Sequence, residues 1–166
     1  MPTSDSHVTP FSGARMRFES DKTYDEVLAA LFADIGDRPV PINELPTKAA
    51  TWDTYQSLVE PYVGPSGFML FAAFDHGSWI RYAGIDRKAL RVILGNPLIA
   101  ITMVRHDVSA ALFAPVELLV VDEPGDRSSV TYVLPSSLMV VEPNPPLLAA
   151  AQVLDEKLEA LVRKVT

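Results

Sequence analysis

Apolar residues recur along this chain at two different spacings, and the switches between them outline the fold. Arg15-Met-Arg-Phe-Glu19 alternates polar with apolar residues, which predicts a strand with Met16 and Phe18 turned inward. Thr23 and Glu26 have the spacing of a capping box. Tyr24, Val27, Leu28, Leu31 and Phe32 then follow at helical spacing until Gly36. Prolines at 39, 41 and 46 predict an extended loop over 38–46. Thr51 to Tyr62 reads as a short helix with Trp52, Tyr55 and Val59 on one side. After a turn at Gly64-Pro-Ser-Gly67, the run from Phe68 to Phe74 is apolar on both faces, as a central strand would be. Trp79 to Tyr82 is expected to pair with it across a turn at Gly77-Ser78.

The second half is equally patterned. Leu90 to Leu94 predicts a strand. Asn96 caps the next helix, with Pro97 at the first position, where a missing amide hydrogen costs nothing. That helix is expected to run to about His106. Ala111 to Val121 reads as a strand interrupted by Pro115, which implies an edge or a bulge. Val130, Tyr132 and Leu134 alternate along a returning strand after the turn over 122–127. Leu147, Ala151, Leu154, Leu158, Leu161 and Val165 line one face of a closing helix. Interleaved strands and helices with at least one hairpin make the fold α+β. The expectation is one compact domain over 14–166, a mixed or antiparallel sheet packed against about three to four helices. A flexible tail over 1–13 precedes it.

Composition narrows the function classes. A hydrophobic content of 48% with 21% charged residues is that of a globular chain. The longest apolar run is far below the roughly 20 residues needed to span a bilayer, and Met1 to Gly13 lacks the pattern of a signal peptide, so a cytoplasmic protein is expected. The absence of cysteine excludes disulfides, thiolate nucleophiles and cysteine-held metals. A net charge of −7 argues against nucleic acid and anionic membranes as partners. The segment from His76 to Ala110 runs against that trend, with Arg81, Arg87, Lys88, Arg91 and Arg105 set against only Asp86 and Asp107. Such a segment suits either a solvated face or a small anion.

The start Arg17-Phe-Glu-Ser-Asp-Lys-Thr-Tyr-Asp-Glu26, Gly95-Asn-Pro97 after a strand, the Ala114-Pro115 break before Val-Glu-Leu-Leu-Val, and the amphipathic closing helix are together similar to the bacterial family called domain of unknown function 302. The stretch from Arg38 to Trp52 and the Asp75-His-Gly-Ser-Trp79 segment depart from that pattern. The resemblance implies a compact α+β fold that often forms homodimers. It transfers no catalytic residue.

Candidate chemistry gathers between residues 75 and 132. His76 follows Asp75 and His106 precedes Asp107, but neighbours in sequence do not face each other, so any acid–base pair has to form across the fold. His106 lies near a helix C-terminus, where the dipole favours its protonated form, and Asp107 reads first as a cap for the next turn. His76, His106, Asp107 and Arg105 are the candidates for proton transfer and anion holding. Arg81, Trp79, Tyr132, Glu117 and Asn96 are candidates for substrate binding. Glu117 shares a strand face with Leu119 and Val121, placing it either at a sheet edge or in a pocket. Two histidines and a carboxylate would make a metal site, but no ligand spacing supports one, and no metal or cofactor is expected. No nucleotide-binding glycine motif and no Gly-x-Ser-x-Gly occurs. Two functions remain open. One is a binding protein or cofactor-independent acid–base enzyme for a small, anionic organic molecule, with its pocket near the Asn96 helix. The other is a dimeric scaffold or regulatory module without chemistry.

Overall fold

Five strands form one antiparallel sheet in a computed structural model that describes residues 6–166. They are β1 (Arg15–Ser20), β2 (Met69–Asp75), β3 (Ala89–Gly95), β4 (Val116–Glu123) and β5 (Arg127–Val133), in the spatial order β1-β5-β4-β3-β2. The helices are α1 (Tyr24–Ile35), α2 (Trp52–Val59), α3 (Gly77–Ile80), α4 (Pro97–Val104), α5 (Pro135–Met139) and α6 (Pro145–Val165), joined by short 3-10 turns. The α+β class and the antiparallel sheet follow the expectation from sequence. The helices outnumber the three or four expected, because α3 and α5 are too short to carry a helical period. Part of the expected 1–13 tail falls outside the described residues. Residues 6–13 are exposed, with Phe11 set edge-on to Phe113 at 6.2 Å.

The core lies on one face of the sheet. Leu94, Leu118, Val120 and Val130 point toward Val27 and Leu31 of α1 and Leu154, Leu158 and Leu161 of α6. The capping box of α1 forms as read, with the Thr23 side chain on the Glu26 amide and the Glu26 carboxylate on the Thr23 amide. A buried carboxylate locks three elements together. Asp34, near the end of α1, accepts bonds from the Ser66 amide (3.1 Å), the Ser66 hydroxyl (2.7 Å) and Lys164 Nζ of α6 (2.7 Å). The chain turns beside it at Gly64, where a Cβ would lie 1.9 Å from the Asp34 carbonyl oxygen, so only glycine fits.

A smaller apolar cluster covers one corner of the opposite face. Met69 and Phe71 meet Val40, Leu45, Tyr55 and Val59 there, so the 38–64 segment closes the sheet at β2. Leu70 pairs with Leu94 and Ala72 with Ile93, which leaves Phe71 as an extra residue in a bulge. Among the described residues the rest of that face carries no second layer.

Three local expectations are corrected. Residues 79–82 do not form a strand but continue from α3 into a 3-10 turn over Arg81–Ala83. Asp75 Oδ1 accepts the Ser78 amide (3.0 Å) and the Ser78 hydroxyl donates to the Asp75 carbonyl (2.8 Å), bending the chain away from the sheet. The strand expected from Ala111 begins only at Val116, and Val108–Phe113 is a 3-10 turn. β4 is also an interior strand, hydrogen-bonded to β3 and β5. Pro115 lies just before it, so its missing amide hydrogen removes no ladder bond, and Glu117 is not an edge residue.

Candidate functional site

The uncovered face of the sheet can be read as a grid from the strand register. Arg15, Val133, Glu117 and Ile93 form one row across β1, β5, β4 and β3. Arg17, Thr131, Leu119, Arg91 and Phe74 form the next, reaching β2. Strand alternation dictates this: with Leu118 and Val120 in the core, Glu117, Leu119 and Val121 must face out. Leu119 is 36% exposed and Phe74 52% exposed, high values for apolar residues in a sheet.

Charges are set into this apolar floor. The Arg91 guanidinium is in direct ion-pair contact with Glu117 Oε2 across the β3–β4 diagonal. Arg17 Nη2 meets Glu123 Oε1 at 2.7 Å. Bonds from the Ser129 hydroxyl and then from Arg17 hold the Glu123 carboxyl below the usual carboxylate range. Arg15 makes no ion pair among the described residues. Above the strip formed by Leu119 and Val121, the three arginines, Glu117 and His76 border a cleft of about 490 Å³. A second cleft of about 260 Å³ adjoins it, between Phe113, Pro115, Pro135 and Leu138, and shares Arg91, Glu117 and Val133 with the first.

Of the residues picked out in sequence, His76 and Glu117 come together at this cleft. Trp79 stands behind His76, its indole Nε1 donating to His76 Nδ1 at 3.3 Å. An indole nitrogen only donates, so Nδ1 is the acceptor and a neutral imidazole carries its proton on Nε2. Arg81 lies on the far side of that turn, 5.1 Å from the Tyr82 ring centroid. Tyr132 borders the cleft by position, but its ring points the other way, into the core. There it is stacked on Phe18 at 6.0 Å and is 3% exposed, with its hydroxyl unpartnered. Burial, and then the charges of Glu159 and Asp155, push that phenol up to about 12. Turned into the core, it is not a pocket wall beside Trp79.

The residues at the end of α4 do not reach the cleft. Arg105 Nε turns back onto the Ile101 carbonyl at 3.1 Å. Asp107 caps the following turn, accepting from the Ser109 amide (2.8 Å) and hydroxyl (2.7 Å). The hydroxyl bond first, and the amide bond next, lower its pKa from the ordinary 3.8. His106 is exposed, and its carbonyl accepts from Asn144 Nδ2 at 3.4 Å. His76 and His106 do not converge. Among the described residues no three His, Asp or Glu side chains group closely enough to hold a metal ion. Asn96 is a buried cap: its Oδ1 accepts the Leu98 amide and its Nδ2 donates to the Gly67 carbonyl. Beside it lies a void of about 20 Å³, room for one water at most. Ile99, Met103 and Leu154 line that void, and among the described residues it leaves no room for an organic ligand.

Arg15, Arg17 and Ile93 were not singled out from sequence as site residues. The signal was present: if Met16 and Phe18 turn inward, Arg15 and Arg17 turn outward. What the strand pattern did not show is that the outward face would be uncovered.

A family model described as "Domain of unknown function DUF302" matches residues 44–165, and the chain belongs to that family. No curated protein matches the sequence. Among solved structures the fold is similar to the crystal structure of an uncharacterized conserved protein DUF302 from Bacillus stearothermophilus. The TM-score is 0.64 at 15% identity, over 92% of this chain and 98% of that one. Among the described residues no helix is long and apolar enough to cross a membrane.

Proposed function

We propose that the uncovered sheet face binds a small organic anion. The observation that carries this is the arrangement of Arg15, Arg17 and Arg91 from two strands around an apolar strip in one cleft. Guanidinium groups pair with carboxylates in a planar, two-bonded geometry. Arg15 lacks a carboxylate partner among the described residues, and Arg91 has one, Glu117, that an incoming carboxylate can replace. His76 offers Nε2–H as a further donor, and as an acid–base group it extends the same reading toward proton-transfer catalysis. The reading involves no cofactor and no nucleic acid, and takes the cytoplasm as the compartment.

The test is an amide NMR titration of the protein with benzoate. Saturable shifts confined to β1, β3, β4 and the His76 turn, lost in Arg15→Gln and Arg91→Gln, are expected. Shifts that persist in both variants would remove the arginines from the site.

A second reading, a homodimer without chemistry, is favoured by the exposure of Phe74 and Leu119 on a sheet with no covering layer. Two copies stacked through this face would bury both residues. Native mass spectrometry then shows a dimer that Leu119→Asp converts to monomer, whereas a monomeric wild type would end this reading.

A further inference from the structure

Resting on the anion-binding reading, we propose that the ligand is an amphiphile, a monocarboxylate carrying an unbranched apolar chain of medium length. The two clefts are one groove with unlike ends, since Arg91, Glu117 and Val133 belong to both. Toward Arg15, Arg17 and His76 the lining is cationic. Toward the other end it is Phe113, Pro115, Pro135 and Leu138, with Leu112 on the rim. Leu112 is 79% exposed although it borders an apolar cleft, so a bound chain would cover what the protein leaves open.

Charge complementarity sets the orientation. The carboxylate lies over Arg15 and Arg91, displacing Glu117 from the latter, and the chain runs along Val133 and Ile93 into the apolar end. Two residues along a strand span about 7 Å, so a head group in the Arg17–Leu119–Arg91 row lies one short chain from the α5 end. The second cleft, about 260 Å³ with the space beside Arg91 and Glu117 included, holds about eight groups of roughly 30 Å³ each, which limits the ligand to about that size.

The test is isothermal titration calorimetry with the straight-chain carboxylates from butanoate to dodecanoate, and with octan-1-ol. Affinity is expected to tighten about fourfold per added methylene, to level off near octanoate, and to exceed that of octan-1-ol at least tenfold. Leu112→Asp, which is exposed and leaves folding alone, flattens the chain-length dependence. Val153→Asp, on the exposed side of α6, leaves it intact. Equal weak binding of every chain length, still abolished by Arg91→Gln, overturns the amphiphile and leaves the anion site standing. Octan-1-ol binding as tightly as octanoate overturns the carboxylate head. No binding by any carboxylate, with none of the benzoate shifts, overturns both readings.

Discussion

Leu118 and Leu119 are adjacent in β4, have the same side chain, and live in different environments. Leu118 is 1% exposed against α1 and α6, whereas Leu119 is 36% exposed on a floor of the sheet that none of the described residues covers. The same contrast runs through β1, β3 and β5, whereas the outward Met69 of β2 is buried under the 38–64 segment. The helix-covered face is continuous and apolar, closed at its margin by the Asp34–Lys164–Ser66 lock. The other face mixes leucine and valine with three arginines and with Glu19, Glu117 and Glu123. Burial on the first face is what folds the chain. The second contributes little to folding, and its composition is explained better by what it meets than by what it supports.

The sharpest way to break this comparison is to truncate both leucines. Leu118→Ala removes a side chain from a filled core and is expected to cost about 2–5 kcal/mol, read as a fall in the urea midpoint with an unchanged slope. Leu119→Ala is expected to cost under about 1 kcal/mol. Equal losses would mean that the second face is buried in the molecule as it exists in solution, which is the outcome the homodimer reading requires.

The Asp34 lock gives the next largest effect, and it depends on pH. Burial alone would raise this carboxyl, but the bonds from Lys164 and Ser66 outweigh it and hold the pKa below the ordinary 3.8. A folded-state value depressed below the unfolded one stabilises the fold above pH 3.8, and that stabilisation is lost as the pH falls through the depressed value. Asp34→Asn is therefore expected to lower stability at pH 7 by about 1–3 kcal/mol. The gap to wild type narrows in acid. A gap that stays constant from pH 7 to pH 2 would show that the charge of Asp34 contributes nothing.

How much of this was legible in sequence divides along the same two faces. The inward pattern of β1, β5 and α6, the capping box at Thr23 and the Asn96 cap are all local or periodic signals, and each appears where the pattern places it. The bulge at Phe71 left no trace, because every residue from Phe68 to Phe74 is apolar and alternation has nothing to act on. A turn at Gly77-Ser78 suggests that Trp79 to Tyr82 returns as a strand, whereas the Asp75–Ser78 bonds start a helical turn there instead. Glu117 was read as an edge residue because Pro115 was counted inside the strand instead of ahead of it. The site itself depends on which side of the sheet lacks a layer, and that is a property of the assembled fold that no single segment encodes.

The Arg91–Glu117 pair refines the comparison from the open face. Both side chains are about half exposed, and pairs of that kind contribute roughly 0–1 kcal/mol to stability. Glu117→Gln should leave the thermal midpoint nearly unchanged while freeing Arg91, and so tighten benzoate binding by about fivefold. Arg91→Gln should weaken it with equally little effect on folding. Opposite signs on binding with flat stability are what a ligand-facing ion pair predicts. A structural pair would lower stability in both variants and leave benzoate binding alone.

The smallest effect is expected at Trp79, and it separates a working histidine from a decorative one. Trp79→Phe keeps an aromatic ring beside His76 but removes the only donor seen on Nδ1, so stability should change by less than about 0.5 kcal/mol. The imidazole is what changes. In the wild type the ¹⁵N shifts of the neutral imidazole should report an unprotonated Nδ1 and a protonated Nε2. In the variant the two neutral tautomers should mix, and benzoate, if it accepts from Nε2, should draw the population back. A tautomer distribution that is the same in both proteins and indifferent to benzoate would place His76 at the border of the cleft without a part in it. The anion site would then be the work of the arginines alone.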